Sequence, residues 1–252
     1  METSVNDLGN FGYKKTHTAT KAIVMAAGSG KRLAPITNTI PKPLIEVNGK
    51  VLIESLLDAL IQNGIKDIYI VVGHLKEQFA YLPNKYNLVN ITLLENPYYS
   101  TCNNISSLYV ARSFLGNCII TDGDLLIHNS NILETNFEAS GYCSTWADET
   151  TEWLQTIDDA GYVLSCGRNG GKNGWQLFSV SFWTQEDGQK LCNHLEDIFE
   201  RRQLKDLFWD DIPMFYHKDE YRLKIRQIDP TDLTEIDSLQ ELIALDTNYL
   251  NI

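Results

Sequence analysis

The stretch KAIVMAAGSGKRLAPITNTIPKPL, residues 21–44, indicates both the fold and the kind of ligand. Its opening KAIVM is apolar, short and rich in β-branched residues, which predicts a buried strand over 21–25. A glycine-rich turn directly after such a strand lies at the carboxyl edge of the sheet, where open α/β folds bind ligands. Its backbone N–H groups, together with the N-terminus of a following helix, can converge on phosphate oxygens. The stretch therefore predicts a site for a strongly anionic ligand.

Two familiar phosphate-binding motifs do not describe this loop. The P-loop pattern G-x-x-x-x-G-K-[ST] fails because Met25 replaces the first glycine and Arg32 follows Lys31. The dinucleotide pattern G-x-G-x-x-G fails because Leu33 stands where the third glycine belongs. The glycines alone are also compatible with an ordinary strand–helix turn that carries incidental cations.

Lys42 is the more specific signal in this stretch. Pro41 and Pro43 fix the backbone on either side of it, and we expect them to hold the lysine in an extended segment. A positioned ammonium is costly unless it meets an opposite charge. This pattern favours a binding loop over an incidental turn.

Short apolar runs and helical patterns alternate through the first half of the chain. Such alternation predicts a mostly parallel, Rossmann-like central sheet with helices on both faces, so the fold class is α/β. The predicted strands are 67–73, 90–95 and 118–124, and the predicted helices are 51–64 and 104–115.

After about residue 140 the pattern changes to a smaller, partly antiparallel subregion. Ser238 and Glu241 form an S-x-x-E capping box, which predicts the start of a last helix. Between them and residue 140 we predict strands over 141–146, 161–167, 175–183 and 221–228, a glycine-rich connection over 167–174 and a helix over 186–201.

Composition excludes several classes of function. The 252 residues carry 21 Lys and Arg against 33 Asp and Glu, and this net charge of −12 argues against a nucleic-acid or anionic-membrane partner. No stretch approaches the ~20 apolar residues of a membrane helix, and the polar N-terminus lacks the apolar core of a secretory signal. The five cysteines form no C-x-x-C pair and are expected to be free thiols in a reducing cytoplasm.

Carboxylates occur where a metal bound to phosphates would need them. Asp122 and Asp124 lie two residues apart at the end of a predicted strand, so both point to one face if the extended conformation continues. Asp237 directly precedes the cap of the last helix. One carboxylate from each place matches the sparse ligation that Mg²⁺ prefers when phosphates complete its shell. Taken singly, D-G-D is also an ordinary turn, and Asp237 also suits a helix N-terminus.

Aromatic and acidic residues occur together in the second half of the chain. Tryptophan faces attract quaternary ammonium groups by about 0.5–2 kcal/mol each, and a nearby carboxylate adds to this attraction. The alternative is that the aromatic rings pack the core. The residues concerned are Trp153, Phe208 and Trp209, accompanied by Glu152, Asp210 and Asp211.

The segment AAGSGKRLAPITNTIPKPLIEVNGKVLIE resembles the signature of the nucleoside-triphosphate transferases, with G-x-G-x-R followed by P-K-P-L. This resemblance implies that the glycine loop wraps a triphosphate and that Arg32 and Lys42 contact its phosphates. It also implies that Asp124 and Asp237 are the first and second metal ligands.

The wider pattern is similar to that of the bacterial choline-phosphate cytidylyltransferases. It extends from about residue 21 to residue 246 and includes NNISSLY, TTEWL, VSFW, DLFWDD and EIDSLQEL. The resemblance implies transfer of CMP from CTP to phosphocholine, giving CDP-choline and pyrophosphate. It implies that Trp153 and Trp209 contact the choline and that Asp210 is the nearby acid. Phe208 stands where a tyrosine is expected, and close relatives act on 2-aminoethylphosphonate or phosphoethanolamine.

The predicted enzyme needs no side-chain nucleophile, because such transfer depends on positioning and charge stabilisation. We expect Asp124 and Asp237 to hold Mg²⁺, Arg32 to bind the β- and γ-phosphates, and Lys42 to stabilise transition-state charge. A sugar 1-phosphate acceptor and a catalytically silent nucleotide sensor are the alternatives. The predicted nucleotide-binding residues are Ala26, Ala27, Gly28, Ser29, Gly30, Lys31, Arg32, Asn103, Asn104 and Asp122.

The predicted organisation is a polar tail over 1–20 followed by one nucleotidyltransferase domain over 21–252. Within it, 21–140 is the nucleotide-binding half, 141–235 the acceptor-binding region, and 236–252 the metal-ligand segment with the C-terminal helix. We expect a monomer or small homo-oligomer without membrane insertion.

Overall fold

The structure is a computed structural model and describes residues 16–250. Strands and helices are numbered along the chain. The strands of its large mixed sheet are β2 (Lys21–Ala26), β5 (Asp67–Val72), β6 (Asn90–Glu95), β7 (Cys118–Asp122), β10 (Gly141–Thr150), β11 (Leu154–Ile157), β12 (Val163–Gly167), β13 (Gly171–Trp183) and β14 (Arg226–Gln227). Short antiparallel pairs are β1 (His17–Thr18) with β9 (Asn136–Phe137), β3 (Glu46–Val47) with β4 (Lys50–Val51), and β8 (Leu125–Ile127) with β15 (Leu233–Glu235). The α-helices are α1 (Leu52–Gln62), α2 (Leu82–Lys85), α3 (Ile105–Ala111), α4 (Gln185–Leu195) and α5 (Leu239–Leu245).

The parallel part of the sheet brings the predicted ligand-binding segments to one edge. β2 lies between β5 and β7 and is parallel to both, and β6 continues the parallel part beside β5. In this register Met25 pairs with Asp122, so the glycine loop after β2 and the acidic turn after β7 begin side by side. β13 runs antiparallel to β7 and pairs with β10 and β11. The long β13 therefore joins the two halves of the chain into one sheet.

Alternate residues of β2 face two separate cores. Ala22 and Val24 pack with residues of α1 on one face of the sheet. Ile23 and Met25 pack with residues of α3 and α4 on the other. Because a strand covered on both sides is apolar at successive positions, KAIVM has no polar alternation. The prediction of an α/β fold with helices on both faces is confirmed.

The polar tail predicted over 1–20 extends too far at its carboxyl end. Residues 1–15 lie outside the described part of the chain. His17–Thr18 pairs with Asn136–Phe137, and Ala19 is buried. Residues 16–20 thus belong to the folded domain. Their strand is only two residues long and pairs with a distant segment, so the local sequence does not predict it.

Several element boundaries in the second half differ from the predictions. The glycine-rich connection is a short turn, because β13 already begins at Gly171, inside the predicted loop. The strand predicted over 221–228 is reduced to Arg226–Gln227. The helix predicted over 186–201 ends as an α-helix at Leu195 and continues as a wider π-helical turn over Glu196–Arg201. These segments pack against other elements, and tertiary contacts override local propensity there.

Candidate active site

A cavity of about 410 Å³ opens at the carboxyl edge of the parallel strands. It lies where an open α/β fold is expected to bind its ligand. Its walls contain all the predicted nucleotide-binding residues together with Lys42, Asp124 and Asp237. The lining also includes residues that the sequence analysis did not single out: Asn96, Tyr99, Cys102, Ser106 and Ser107.

The glycine loop is packed directly against Lys42. Gly30 has φ +59, in the left-handed region that favours glycine. A Cβ at this position would approach Thr37 Cγ2 to 2.9 Å and Lys42 Cβ to 3.0 Å. The Thr37 hydroxyl donates a hydrogen bond of 3.0 Å to the Gly30 carbonyl. The glycine is therefore required both by its backbone conformation and by the lysine that it adjoins.

Two local expectations for this loop are corrected by the structure. The segment after Gly30 is a single 3-10 turn over Lys31–Leu33, so no α-helix dipole adds to the anion site there. Lys42–Leu44 is likewise a 3-10 turn rather than an extended segment. Proline is well tolerated in the first turn of a helix, and Pro43 occupies such a position. The field at the cavity therefore comes from side chains and loop amides.

Lys42 is the centre of the charged cluster. Its Nζ lies 2.6 Å from Asp124 Oδ2 and 3.0 Å from Asp237 Oδ1, and its side chain is only 9% exposed. Arg32 Nη2 donates to the same Asp237 oxygen at 2.8 Å. Arg32 and Lys42 thus share one carboxylate oxygen of Asp237, which lies 205 residues after Arg32 in the sequence.

A short strand pair brings Asp237 to this cluster. β15 pairs with β8, with Glu235 opposite Leu125, so the residues that follow Asp124 are tied to those that precede Asp237. The predicted capping box at the start of α5 is confirmed. Its Glu241 carboxylate also accepts a 2.7 Å hydrogen bond from the Asp237 backbone N–H. The cap therefore positions the backbone of the residue that points at Lys42.

The cluster holds more negative charge than the lysine can balance. Burial alone lowers the pKa of Lys42, but the adjacent Asp124 and Asp237 outweigh burial and raise it. Burial, reinforced by Asp124, raises the pKa of Asp122 well above its ordinary value. Burial and the charges of Asp124 and Asp237 raise the pKa of Glu235 to about 8. Such shifts mark a site where a further cation would be stabilised.

Asp124 has an oxygen available for that cation. Its Oδ2 faces Lys42, whereas Oδ1 is buried and has no hydrogen-bond partner among residues 16–250. A buried carboxylate oxygen without a partner is costly, and Mg²⁺ is a cation that takes such oxygens together with phosphate oxygens. The donor set therefore fits the magnesium ion predicted from the sequence, and magnesium itself stays a prediction.

The amides expected to recognise the base are partly engaged in packing. Asn103 donates to the Asp206 carbonyl at 3.1 Å, and Asn104 Oδ1 accepts from the Trp209 N–H at 3.0 Å. Both residues line the cavity while they tie its wall to the segment around Trp209. Behind them, the buried Asn96 donates to the hydroxyls of Ser106 and Ser107. The roles of these residues toward a base stay predictions.

The three predicted choline-contacting aromatic residues lie in different environments. Trp209 is 3% exposed, and its ring stacks on Tyr142 at 5.9 Å and meets the edge of Trp183 at 5.7 Å. Trp153 is half-buried, and its ring meets the exposed Phe208 at 5.9 Å. The Trp209 ring thus forms part of the core, while Trp153 and Phe208 are accessible.

The two neighbouring carboxylates have different partners. Asp211 is buried and pairs with Arg168 at 2.6 Å. Burial raises the pKa of Asp210 to about 7, because the nearby Tyr142 hydroxyl only partly offsets the loss of water. The charge of Asp210 in turn raises the pKa of Asp122 in the cavity. Asp210 therefore connects the aromatic region electrostatically to the Lys42 cluster.

Comparison with known proteins agrees with this arrangement. The nucleotidyl transferase family profile matches residues 21–141, which hold the glycine loop, Lys42 and Asp124. The 2-aminoethylphosphonate cytidylyltransferase of Lancefieldella rimae is 38% identical over 234 residues, covering 92% of this chain and 94% of that protein. The chain belongs to the nucleotidyl transferase family. The predicted nucleotidyltransferase activity class is thereby confirmed.

Other members of this family resemble the nucleotidyltransferase over most of its length. The choline-phosphate cytidylyltransferase of Streptococcus pneumoniae is 34% identical over 227 residues, covering 90% of this chain and 96% of that protein. The solved CTP:phosphocholine cytidylyltransferase structure from Streptococcus pneumoniae aligns with a TM-score of 0.81 at 33% identity, covering 90% of this chain and 98% of that chain. The resemblance to bacterial choline-phosphate cytidylyltransferases is therefore confirmed.

Two further expectations about the nucleotidyltransferase can be compared with its structure. Among residues 16–250, no helix is long and apolar enough to cross a bilayer. Within that same range all five cysteines are free thiols, as predicted. The cytoplasmic location and the oligomeric state stay predictions.

Proposed function

We propose that this nucleotidyltransferase transfers CMP from CTP to a phosphate or phosphonate oxygen of a small acceptor that carries an ammonium group. Phosphocholine, the acceptor predicted from the sequence, and 2-aminoethylphosphonate both belong to this class. The observation that carries the proposal is the placement of Lys42 between Asp124 and Asp237 beside the glycine loop. This is the charge arrangement that a triphosphate with its metal requires.

The triphosphate binds along the glycine loop. Arg32, whose side chain is 72% exposed, turns from Asp237 to the β- and γ-phosphates, which become the leaving group. An acceptor oxygen attacks the α-phosphorus in line, the bond to the β-phosphate oxygen breaks, and pyrophosphate leaves. Lys42 stabilises the charge that develops on the α-phosphate oxygens.

Asp124 and Asp237 are the residues that would hold magnesium. When bound there, Mg²⁺ supplies charge neutralisation of the phosphates and of the departing pyrophosphate. The pairing of β8 with β15 and the cap of α5 hold the two carboxylates in fixed positions, where they would bind the ion.

The acceptor-binding region supports an ammonium group on the acceptor. Trp153 and Phe208 present accessible aromatic surface, and Glu152 and Asp210 flank them in the sequence. A cation is attracted by aromatic faces and by a carboxylate, and its own charge would favour the ionised form of Asp210. The similarity to cytidylyltransferases for choline phosphate and for 2-aminoethylphosphonate supports the same class of acceptor.

Pyrophosphate release is the test of this function. The enzyme is incubated with Mg²⁺ and CTP and with phosphocholine, phosphoethanolamine, 2-aminoethylphosphonate or glucose 1-phosphate in parallel. We expect release only with the ammonium-bearing acceptors. Release with glucose 1-phosphate alone would favour the sugar 1-phosphate alternative. CTP binding without release in any arm would favour a nucleotide sensor.

A further inference from the structure

The aromatic surface around Trp153 already carries a cation from the chain itself. The Arg168 guanidinium carbon lies 4.1 Å from the centre of the Phe215 ring and 5.8 Å from that of Trp153. The Trp153 and Phe215 rings meet at 5.6 Å. Arg168 therefore occupies aromatic faces of the kind that would otherwise attract the ammonium group of a ligand.

Arg168 is held in this position by a buried carboxylate. Its Nε donates to Asp211 Oδ1 at 2.8 Å, and Nη2 lies 2.6 Å from the same oxygen. Asp211 Oδ2 accepts a hydrogen bond from the Phe208 N–H at 3.1 Å. Both oxygens of Asp211 are thus engaged by groups of the chain. The carboxylates of this region that remain for a ligand are those of Glu152, directly before Trp153, and Asp210, two residues after Phe208.

The backbone fixes the arginine turn beside Trp153. Arg168 follows β12, whose Gly167 pairs with Leu154, the residue after Trp153. Gly170 closes the turn with φ +68, and a Cβ there would approach the Thr150 carbonyl oxygen to 2.0 Å. The turn is therefore pressed onto the segment that leads to Trp153. Sequence reasoning assigned this segment only as a glycine-rich connection.

We propose that Arg168 determines acceptor specificity by occupying the aromatic faces, so that the enzyme prefers a primary ammonium to a quaternary one. This inference rests on the proposed function. A trimethylammonium donates no hydrogen bond and depends on open aromatic faces for binding. The Arg168 guanidinium covers such faces and repels a second cation. A primary ammonium has three N–H donors and binds a carboxylate directly. Glu152 and Asp210 are the carboxylates of this region that Arg168 does not engage.

The test compares the specificity constants of one enzyme preparation for two acceptors. The ratio of kcat/KM for phosphocholine to kcat/KM for 2-aminoethylphosphonate is independent of the fraction of protein that is folded. In Arg168→Ala we expect this ratio to rise by about tenfold. Arg168→Lys keeps a cation on the same turn and should remain close to the wild-type ratio. Phosphoethanolamine, a primary ammonium on a phosphate, should behave like 2-aminoethylphosphonate.

Removal of Arg168 leaves Asp211 buried without its partner, and this can destabilise the fold. A second variant, Arg168→Met with Asp211→Asn, removes both charges and should give the same rise in the ratio. Arg222→Ala is the matched control, because Arg222 lies over a different ring, that of Tyr162, at 3.9 Å. It should leave the ratio at the wild-type value.

The possible failures are distinguishable. An unchanged or lower ratio in Arg168→Ala and in the double variant, with active wild-type enzyme, would overturn the role of Arg168 and leave the proposed function intact. An equal loss toward every acceptor would show a structural role only. Absence of pyrophosphate release from the wild type with all ammonium-bearing acceptors would overturn the proposed function and this inference with it.

Discussion

The nucleotide-binding half and the acceptor-binding region both neutralise their buried charges with groups of the chain, but they do so differently. In the nucleotide-binding half, Lys42 and Arg32 balance carboxylates across an open cavity, and Asp124 Oδ1 has no hydrogen-bond partner within residues 16–250. In the acceptor-binding region, Arg168 and Asp211 pair internally against packed aromatic rings.

This difference separates residues that bind from residues that support. The Lys42 cluster lines a cavity and has cationic groups together with a carboxylate oxygen that has no partner within residues 16–250, which is the form of a preorganised site. The aromatic region mixes core packing with accessible surface, so identical residue types there have different roles. The following predictions test this contrast, from the largest expected effect to the smallest.

Trp209 should contribute mainly to stability. Its buried ring contacts Tyr142 and Trp183, so Trp209→Ala should lower the free energy of unfolding by about 3–5 kcal/mol, measured by urea denaturation. Trp146→Ala is the control, because Trp146 is 51% exposed and should cost far less. Wild-type stability in the Trp209 variant would contradict the assignment of its ring to the core.

Lys42 should contribute mainly to turnover. Lys42→Met keeps the length of the side chain but removes the charge between Asp124 and Asp237, and kcat should fall by about 10²–10³-fold. Pyrophosphate release under saturating substrates gives this value. Lys66→Met, at an exposed lysine outside the cavity, should retain wild-type kcat. Full kcat in the Lys42 variant would dismiss its catalytic role.

Trp153 should affect acceptor binding selectively. Trp153→Ala removes an accessible ring, so the KM for phosphocholine, whose quaternary ammonium depends on aromatic faces, should rise by about tenfold while the KM for CTP stays unchanged. Steady-state kinetics with each substrate varied in turn separates the two constants. An equal rise in both would place Trp153 in general packing rather than in the acceptor site.

Asp210 should make stability depend on pH. Burial raises its pKa from 3.8 to about 7, so the folded state disfavours the ionised carboxylate. The resulting loss of stability begins as pH rises above 3.8 and is complete above about pH 7. Asp210→Asn should therefore raise Tm by a few degrees at pH 8 and by less at pH 5.

The control for this pH series is Asp159→Asn, at an exposed turn position, which should shift Tm equally at both pH values. A stabilisation by Asp210→Asn that is larger at pH 5 than at pH 8 would contradict the sign of the effect.

The sequence was sufficient for the parts of the molecule that are encoded locally. KAIVM predicts a strand buried on both faces, and Ser238 with Glu241 predicts the cap that positions Asp237. The placement of Lys42 in a 3-10 turn was not predictable from its flanking prolines, because these restrict φ without choosing between a turn and an extended segment.

Contacts between distant segments could not be derived from local patterns. Glu235 joins the acidic cluster through the pairing of β15 with β8, more than one hundred residues away in the sequence. Trp209 and Trp153 have the same side chain, and only the packing of Tyr142 and Trp183 distinguishes the buried ring from the accessible one. Arg168 lacked any signal beyond a glycine-rich turn, because its partners come from two distant segments, one with Trp153 and the other with Asp211 and Phe215.

The most direct test of the central claim is calorimetric titration of CTP, with and without Mg²⁺, into the wild type and Asp124→Asn in the absence of acceptor. If Asp124 and Lys42 converge on one metal-bound triphosphate, Mg²⁺ should tighten CTP binding to the wild type by at least about tenfold and leave binding to Asp124→Asn nearly unchanged. A variant that keeps the full magnesium-dependent gain in affinity would contradict the account.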